Sequence, residues 1–376
     1  MNIQMVDVKS QYIKIKEEID RGIQEVLDTT AFINGPKVKQ FQKELESYLN
    51  VKHVIPCANG TDALQIAMMA VGLKPGDEVI VPAFTYVATA EVIALLGLTP
   101  VMVDVDIDTF NINIDGVKSA ITPKTKAIVP VHLYGQSADM EEIMKIAAAH
   151  KLWVIEDNAQ AIGADFVFSD GQKAKTGTVG HIGCTSFYPS KNLGCYGDGG
   201  AIYTNDEALG NLLHKIANHG QSVKYYHDVV GCNSRLDSIQ AVVLSVKLPH
   251  LDEYCTARIR VADYYDTAFE NVEGLETPFR APYTTHVFHQ YTLKFKNNRR
   301  DEFKKYLDEQ NIPNMIYYPV PLYMQEAFKT SSNGLEFLPN TELLCQEVIS
   351  LPIHTEMDEK QLSFITNKVK AFFEKN

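Results

Sequence analysis

Short apolar runs alternate with helix-like segments through the middle of the chain, and this alternation constrains the fold more than any other feature. The runs predicted as strands are 53–57, 79–81, 101–105, 127–131, 152–155 and 201–204, and the intervening segments predicted as helices include 61–71, 86–96 and 140–150. Strands that alternate with helices form a mostly parallel sheet covered on both faces. The sequence therefore predicts a large α/β domain.

Other elements flank this region. The spacing of apolar residues predicts two amphipathic helices before it, and after it a long helix, interrupted near Pro249, that leads into a smaller region. The segments concerned are 15–27, 38–49 and 234–271, followed by a strand at 290–295, a helix at 300–310, an extended stretch at 315–321 and a closing helix at 359–373. We predict a large domain over 1–248 and a small α+β domain over 249–376.

Composition excludes several classes of protein. The chain has 376 residues and a net charge of −12, and it has no basic stripe that would attract a nucleic acid. Neither a signal peptide nor an apolar stretch long enough to span a bilayer is present, so we predict a cytoplasmic protein without a membrane partner. The six cysteines show no metal-binding spacing, and no metal site is expected.

One lysine stands in a setting typical of covalent catalysis. The segment 184–200 places Lys191 between a hydroxyl-rich strand end, which includes Ser186, and a glycine-dense turn. An amine that is partly desolvated can attack an aldehyde, so we interpret Lys191 as a Schiff-base lysine. Taken alone, the pattern is also that of a surface lysine in a glycine-rich loop.

A carboxylate lies at the end of the preceding predicted strand. Successive side chains of a strand face opposite sides, so only one of Glu156 and Asp157 can face a site, and we expect Glu156 to point away. With Lys191 to hold an aldehyde, Asp157 could pair with the ring nitrogen of pyridoxal 5′-phosphate and keep it protonated. The alternative role for Asp157 is the N-cap of a following helix.

Gly60 and Thr61 lie between a predicted strand and a predicted helix. The free N–H groups of a helix N-terminus, together with a hydroxyl, form an anion site suited to a cofactor phosphate. The pair could also be a simple helix cap, and the segment lacks the Gly-Lys-Ser/Thr ending of a Walker motif.

These motifs resemble those of the DegT/StrS-type nucleotide-sugar aminotransferases, and the likeness runs nearly end to end. The segments that carry it are 57–66, 151–161, 184–202 and 231–236. The resemblance implies the fold-type-I, aspartate-aminotransferase-like architecture, and a homodimer with shared active sites. Within the family, segments 57–66 and 187–202 are most similar to the branch that aminates C3 of UDP-2-acetamido-2-deoxy-3-oxo-glucuronate.

The resemblance also assigns further residues to the cofactor. It implies that Ser186 supplies a second phosphate-binding hydroxyl and that Asn233 reaches the same phosphate across the dimer interface. It places Gln160 near the phenolic oxygen and the ring of Tyr86 against the pyridine. From the residues alone, Gln160 could be an ordinary helix-face glutamine, and Tyr86 could be a core aromatic on an inward helix face.

Three residues match positions near the sugar in that branch. Arg235 could pair with a uronate carboxylate, and Tyr317 and Tyr318 would lie beside the sugar. Tyr317 stands where the branch commonly has histidine, which is a departure from its pattern. Arg235 could instead form a structural ion pair.

The reaction that these features imply is transfer of an amino group from L-glutamate, through pyridoxamine 5′-phosphate, to a keto-sugar nucleotide for surface polysaccharide such as O-antigen. Two other functions stay open: a 4-aminotransferase acting on a 4-keto-6-deoxy sugar nucleotide, and a non-enzymatic cofactor-binding regulator on the same scaffold. Sugar dehydratases that resemble this family have histidine in place of the lysine, so Lys191 argues against that activity.

Overall fold

A computed structural model of the chain describes residues 3–329 and 337–374. The helices are α1 (Val8–Thr29), α2 (Pro36–Leu49), α3 (Gly60–Ala70), α4 (Ala88–Leu95), α5 (Ile114–Ala120), α6 (Met140–His150), α7 (Glu207–Ala217), α8 (Ser238–Lys247), α9 (Leu251–Phe269), α10 (Arg300–Glu309), α11 (Pro339–Glu347) and α12 (Glu359–Glu374). The strands are β1 (His53–Cys57), β2 (Glu78–Pro82), β3 (Thr99–Val103), β4 (Thr125–Ile128), β5 (Trp153–Asp157), β6 (Asp165–Val167), β7 (Lys173–Lys175), β8 (Ile182–Ser186), β9 (Gly200–Thr204), β10 (Gln221–Val223), β11 (Tyr226–His227), β12 (Leu275–Glu276), β13 (Tyr291–Phe295) and β14 (Val348–Leu351). Within the described residues, no helix is both long and apolar enough to cross a membrane.

The large sheet has the strand order β1-β9-β8-β5-β4-β2-β3. Strand β9 runs antiparallel to its neighbours β1 and β8, and the other pairings in this sheet are parallel. Apolar residues on the strands are buried under helices, with α3 packed over β8 and β9 through residues such as Ala63, Ile66 and Ala67. The predicted α/β class with a large, mostly parallel sheet is confirmed.

A second, smaller sheet of β12, β13 and β14 lies in the C-terminal part of the chain. It shares a core with α9, α10 and α12, in which Tyr265, Phe295 and Phe303 are fully buried. These elements match the small α+β region expected there. The domain boundary at residue 248 stays a prediction.

Several boundaries differ from the prediction. The long helix starts at Ser238 instead of 234, and a 3-10 turn at Leu248–His250 separates α8 from α9, because Pro249 cannot continue the helical hydrogen bonding. The helix predicted at 86–96 begins at Ala88. The stretch 315–321 forms no strand, and its only ladder contact within the described chain is an isolated bridge between Met315 and Ser350.

Candidate active site

A cavity of about 830 Å³ opens at the carboxyl ends of β5 and β8. In parallel sheets the strand ends and the following loops meet at this edge, which is where ligands usually bind. Nine of the predicted site residues line the cavity: Gly60, Thr61, Tyr86, Asp157, Gln160, Ser186, Lys191, Tyr317 and Tyr318.

Asp157 is the last residue of β5, and its carboxylate is almost fully buried. Oδ2 accepts a hydrogen bond from the Thr89 hydroxyl at 2.9 Å, and Oδ1 accepts one from the Ala159 N–H at 3.1 Å. Burial raises the pKa of Asp157, and these two donors and the nearby Lys191 oppose that rise. No α-helix follows Asp157 directly, so the alternative role as a helix N-cap is wrong.

Lys191 lies on the loop after β8, with its side chain partly buried against the same cavity. Burial lowers the pKa of its amine to about 8, and the Asp157 carboxylate acts in the opposite direction. An amine with this pKa is still mostly protonated at neutral pH, but its neutral, nucleophilic fraction is far larger than that of an ordinary lysine. The alternative interpretation as an ordinary surface lysine is therefore not supported.

Glu156 points away from the cavity, as expected from the alternation along β5. Its buried carboxylate accepts hydrogen bonds from the N–H groups of Gly177 and Val179, both at 2.8 Å, and contacts His132 Nε2 at 2.7 Å. The neighbouring Gly180 N–H also donates to it. Glu156 thus ties β5 to the loop before β8 and leaves Asp157 as the acid that faces the cavity.

The predicted anion site lies where α3 begins. Asn59, not Gly60 or Thr61, caps this helix, since its Oδ1 accepts a hydrogen bond from the Asp62 N–H at 2.8 Å. The first N–H groups of a helix have no partner within it, and Gly60 and Thr61 carry them at the cavity wall. A Cβ on Gly60 would lie 2.8 Å from the Cβ of Ser186, so only glycine lets the two segments approach.

Aromatic residues and one amide form another wall. Gln160 accepts a hydrogen bond from the Tyr134 N–H at 2.7 Å and donates one to the Tyr318 hydroxyl at 3.1 Å. It lies in a turn, so its alternative interpretation as an ordinary helix-face glutamine is wrong. Tyr86 is 58% exposed and precedes α4, so its alternative interpretation as a core aromatic is wrong. The rings of Tyr86 and Tyr318 lie 6.3 Å apart, and Tyr317 lines the cavity beside them.

Asn233 and Arg235 lie outside the cavity of their own chain. Asn233 is exposed and its backbone bridges Asn218, and Arg235 is half-buried in the segment before α8. The sequence resemblance implies that Asn233 acts across a dimer interface, and an exposed position outside its own cavity is compatible with that role. The roles of both residues stay predictions.

The sequence analysis did not assign several of the cavity residues, and two of these lie next to β13. His289 and Gln290 line the cavity just before β13. Burial and the charges of Lys191 and Arg258 lower the pKa of His289 well below its ordinary value, so its imidazole is neutral. No spacing or motif marks these residues, because they reach the cavity only through the packing of the C-terminal region against the large sheet.

Comparisons with known proteins give one consistent result. The model of the DegT/DnrJ/EryC1/StrS aminotransferase family matches residues 13–370. A pleiotropic regulatory protein of Geobacillus stearothermophilus is 46% identical over 375 residues, 99% of each chain. The UDP-2-acetamido-2-deoxy-3-oxo-D-glucuronate aminotransferase of Pseudomonas aeruginosa is 44% identical over 363 residues, 96% of this chain and 98% of that one. A crystal structure of NtdA from Bacillus subtilis with bound cofactor PMP superposes with a TM-score of 0.89 at 34% identity, covering 96% of this chain and 82% of that one.

The environment of Lys191 predicts a distinctive pH dependence. Only the neutral amine reacts with an acetylating reagent, and burial lowers the pKa of Lys191 to about 8. We expect labelling of Lys191 in the ligand-free protein to rise with pH with a midpoint at about 8. Mass spectrometry of the digested protein measures the acetylated fraction of Lys191 at each pH, and the exposed Lys118 serves as an internal reference. A midpoint near the ordinary value of 10.5 would contradict the desolvated setting.

Proposed function

The chain belongs to the DegT/DnrJ/EryC1/StrS aminotransferase family, and on that premise we propose that it transfers an amino group from L-glutamate to a keto-sugar nucleotide. The proposed acceptor is UDP-2-acetamido-2-deoxy-3-oxo-glucuronate, which is aminated at C3, and the proposed cofactor is pyridoxal 5′-phosphate. The match of the family model to residues 13–370 confirms the family resemblance that the sequence motifs predicted.

The observation that carries the proposal is the presence of Asp157 and Lys191 in one cavity. The two groups are close enough for each to alter the pKa of the other. A carboxylate to pair with a ring nitrogen and a neutral amine to hold an aldehyde are the two groups that this cofactor requires. Both are desolvated, which strengthens their interactions with a bound ligand.

The remaining lining residues fit the cofactor. Gly60, Thr61 and Ser186 would hold its phosphate, and the tight contact between Gly60 and Ser186 keeps that cradle free of side-chain bulk. Tyr86 would cover the ring, and Gln160 would donate to the phenolic oxygen. When bound, pyridoxal phosphate supplies the electron sink that stabilises negative charge at the donor carbon.

The protein's own groups would manage the protons. With a pKa of about 8, the amine of Lys191 can both accept and release a proton near neutral pH, so it suits a general base and acid at the substrate carbon. Asp157 would stay ionised while it pairs with a cationic partner, because such a partner offsets the cost of burial. Thr89 and the Ala159 N–H hold its carboxylate in place.

The substrate assignment rests on a relative. The Pseudomonas aminotransferase acts, by its name, on UDP-2-acetamido-2-deoxy-3-oxo-D-glucuronate, and Tyr317 and Tyr318 offer two phenols beside the proposed sugar position. Amination of a 4-keto-6-deoxy sugar is less favoured. The name of the Geobacillus relative describes regulation, but the pairing of Lys191 with Asp157 favours turnover. Cytoplasmic location and a role in O-antigen synthesis stay predictions.

The charge of the cavity supports a homodimer with shared sites. Among the described lining residues, Asp62, Asp157 and Asp198 are acids, whereas Lys191 is the one residue with a cationic side chain, since His289 is neutral. The nucleoside diphosphate and the uronate of the proposed substrate carry several negative charges. One chain alone therefore supplies too little positive charge to bind them. A second copy could provide it.

The segment suited to this purpose is the hairpin of β10 and β11. Its apolar residues are unusually exposed, with Tyr225 at 78% and Tyr226 at 70%. Exposed apolar surface of this kind marks a protein interface. The hairpin leads directly to Asn233 and Arg235, so docking on a second copy would bring both residues towards the partner's cavity.

The first test combines a spectrum with a substrate panel. Purified protein with pyridoxal phosphate should show the visible band of a lysine-linked cofactor, L-glutamate should remove it, and a UDP-linked 3-oxo-uronate should restore it. The Lys191→Ala variant should lack the band, whereas the exposed control Lys118→Ala should keep it. Restoration only by 4-keto-6-deoxy sugars would change the proposed substrate to a sugar of that class. A persistent band in Lys191→Ala would show that Lys191 does not hold the cofactor.

The role of Arg235 can be separated from general damage. A guanidinium paired with a carboxylate contributes about 2–3 kcal/mol, which is about 10²-fold in affinity. We expect Arg235→Ala to raise KM for the uronate substrate by that factor, to spare the glutamate half-reaction, and to have little effect on an analogue with a hydroxymethyl group in place of the carboxylate. Equal losses with both sugars would remove Arg235 from carboxylate recognition.

Shared sites predict complementation between inactive copies. The variants Lys191→Ala and Asn233→Ala/Arg235→Ala should each be nearly inactive, because each lacks one side of the site. Random mixing of equal amounts after unfolding and refolding should restore about a quarter of the original activity, since about half of the dimers then contain one intact site. Absence of recovery, with dimers verified by sedimentation, would contradict sharing.

A further inference from the structure

Lys191 is carried by a loop, Phe187–Gly199, that has no regular secondary structure. Hydrogen bonds close the loop on itself, from the Phe187 N–H to the Gly199 carbonyl at 2.7 Å and from the Cys195 N–H to the Phe187 carbonyl at 2.8 Å. The Lys191 N–H donates to the Tyr188 carbonyl at 2.8 Å, which fixes the turn that carries the amine. The position of the amine therefore depends on what holds this loop.

Helix α8 holds the far side of the loop through two side chains. Gln240 accepts a hydrogen bond from the Tyr196 N–H at 2.8 Å and donates one to the Tyr196 carbonyl at 3.4 Å. Two turns further along the same face of the helix, Lys247 Nζ donates to the Gly194 carbonyl at 2.7 Å. Both side chains bind the backbone of the loop, so they restrain its path whatever its side chains are.

Gly194 connects the contact of Lys247 to the turn at Lys191. A Cβ on Gly194 would lie 2.4 Å from the Pro189 carbonyl oxygen and 2.8 Å from that of Tyr188. The two arms of the loop therefore touch at this point, backbone against backbone. A shift of Gly194 would displace the Tyr188 carbonyl that accepts the hydrogen bond from the Lys191 N–H.

The side chain of Lys247 is an unusual choice for a structural contact. It is 1% exposed, and its amine contacts a carbonyl oxygen and lies 4.6 Å from the centre of the Tyr196 ring, instead of pairing with a carboxylate. Burial lowers its pKa to about 8. A buried cation without an anionic partner destabilises a fold relative to an apolar side chain of similar size, so stability alone does not account for it.

We propose, on the premise that Lys191 is the amine that holds the cofactor, that Lys247 and Gln240 are positioning residues which keep the Lys191 loop against the cavity. They touch neither substrate nor cofactor. They act by fixing the Tyr196 and Gly194 backbone, and through the contact of Gly194 with Tyr188 and Pro189 they hold the Lys191 amine in its desolvated position facing Asp157.

The test uses Lys247→Met, which keeps much of the apolar side-chain length and removes the donor. In the cofactor-free protein, the pH midpoint of Lys191 acetylation should move from about 8 towards 10.5, because a loosened loop lets water reach the amine. Attachment of pyridoxal phosphate, followed by its visible band, should slow about ten-fold or more, as expected for a displacement of about 1 Å. The thermal unfolding temperature should stay unchanged or rise.

Ser245→Ala is the matched control, since Ser245 lies on the same helix and its buried hydroxyl has no hydrogen-bond partner among the described residues. Gln240→Ala alters a half-buried residue and provides a second test should Lys247→Met fail to fold. A midpoint and an attachment rate equal to those of the unaltered chain, in either variant, would overturn the proposal. No visible band in the unaltered protein would overturn the cofactor assignment instead, and the acetylation midpoint would still report the position of Lys191.

Discussion

The alternation of side chains along β5 is the constraint on which the site depends. Glu156 and Asp157 are neighbours, and the strand sends the first into the protein and the second into the cavity. A shift of the register of β5 by one residue would exchange the two side chains and place Glu156 in the cavity instead of Asp157. The hydrogen bonds from the 177–180 loop to Glu156 oppose that shift, so a residue that takes no part in the chemistry determines which carboxylate does.

Desolvation sets the properties of the two groups that meet in the cavity. Burial raises the pKa of Asp157 and lowers that of Lys191, and each partly reverses the shift of the other. The pKa of each group therefore depends on the charge of the other, so a ligand that pairs with either one shifts both. The acids that line the cavity repel an anionic substrate. The homodimer proposed above would account for both the excess of acids on one chain and the exposed apolar hairpin of β10 and β11.

The sequence predicted what depends on local patterns. Apolar periodicity located the main strands, and strand alternation assigned Asp157 and Glu156 correctly, because both follow from the chain within a few residues. It could not locate His289 and Gln290, which reach the cavity through packing between distant segments. The residues alone also left open a helix capped by Asp157 and a core position for Tyr86, and the structure excludes both, since the turn after Asp157 and the exposure of Tyr86 depend on tertiary contacts instead of local propensity.

Buried cations surround the Lys191 loop, and their partners are mostly backbone carbonyls. Arg258 Nη1 donates to the carbonyls of Phe288, His289 and Ile353, as Lys247 does to that of Gly194. A carbonyl satisfies a donor without neutralising its charge, so positive potential persists around the loop and favours the neutral forms of His289 and of other bases nearby. A carboxylate in these places would have stabilised the cations but would have competed with Asp157 for Lys191. The arrangement thus sacrifices some stability and leaves Asp157 as the acid coupled to the reactive amine.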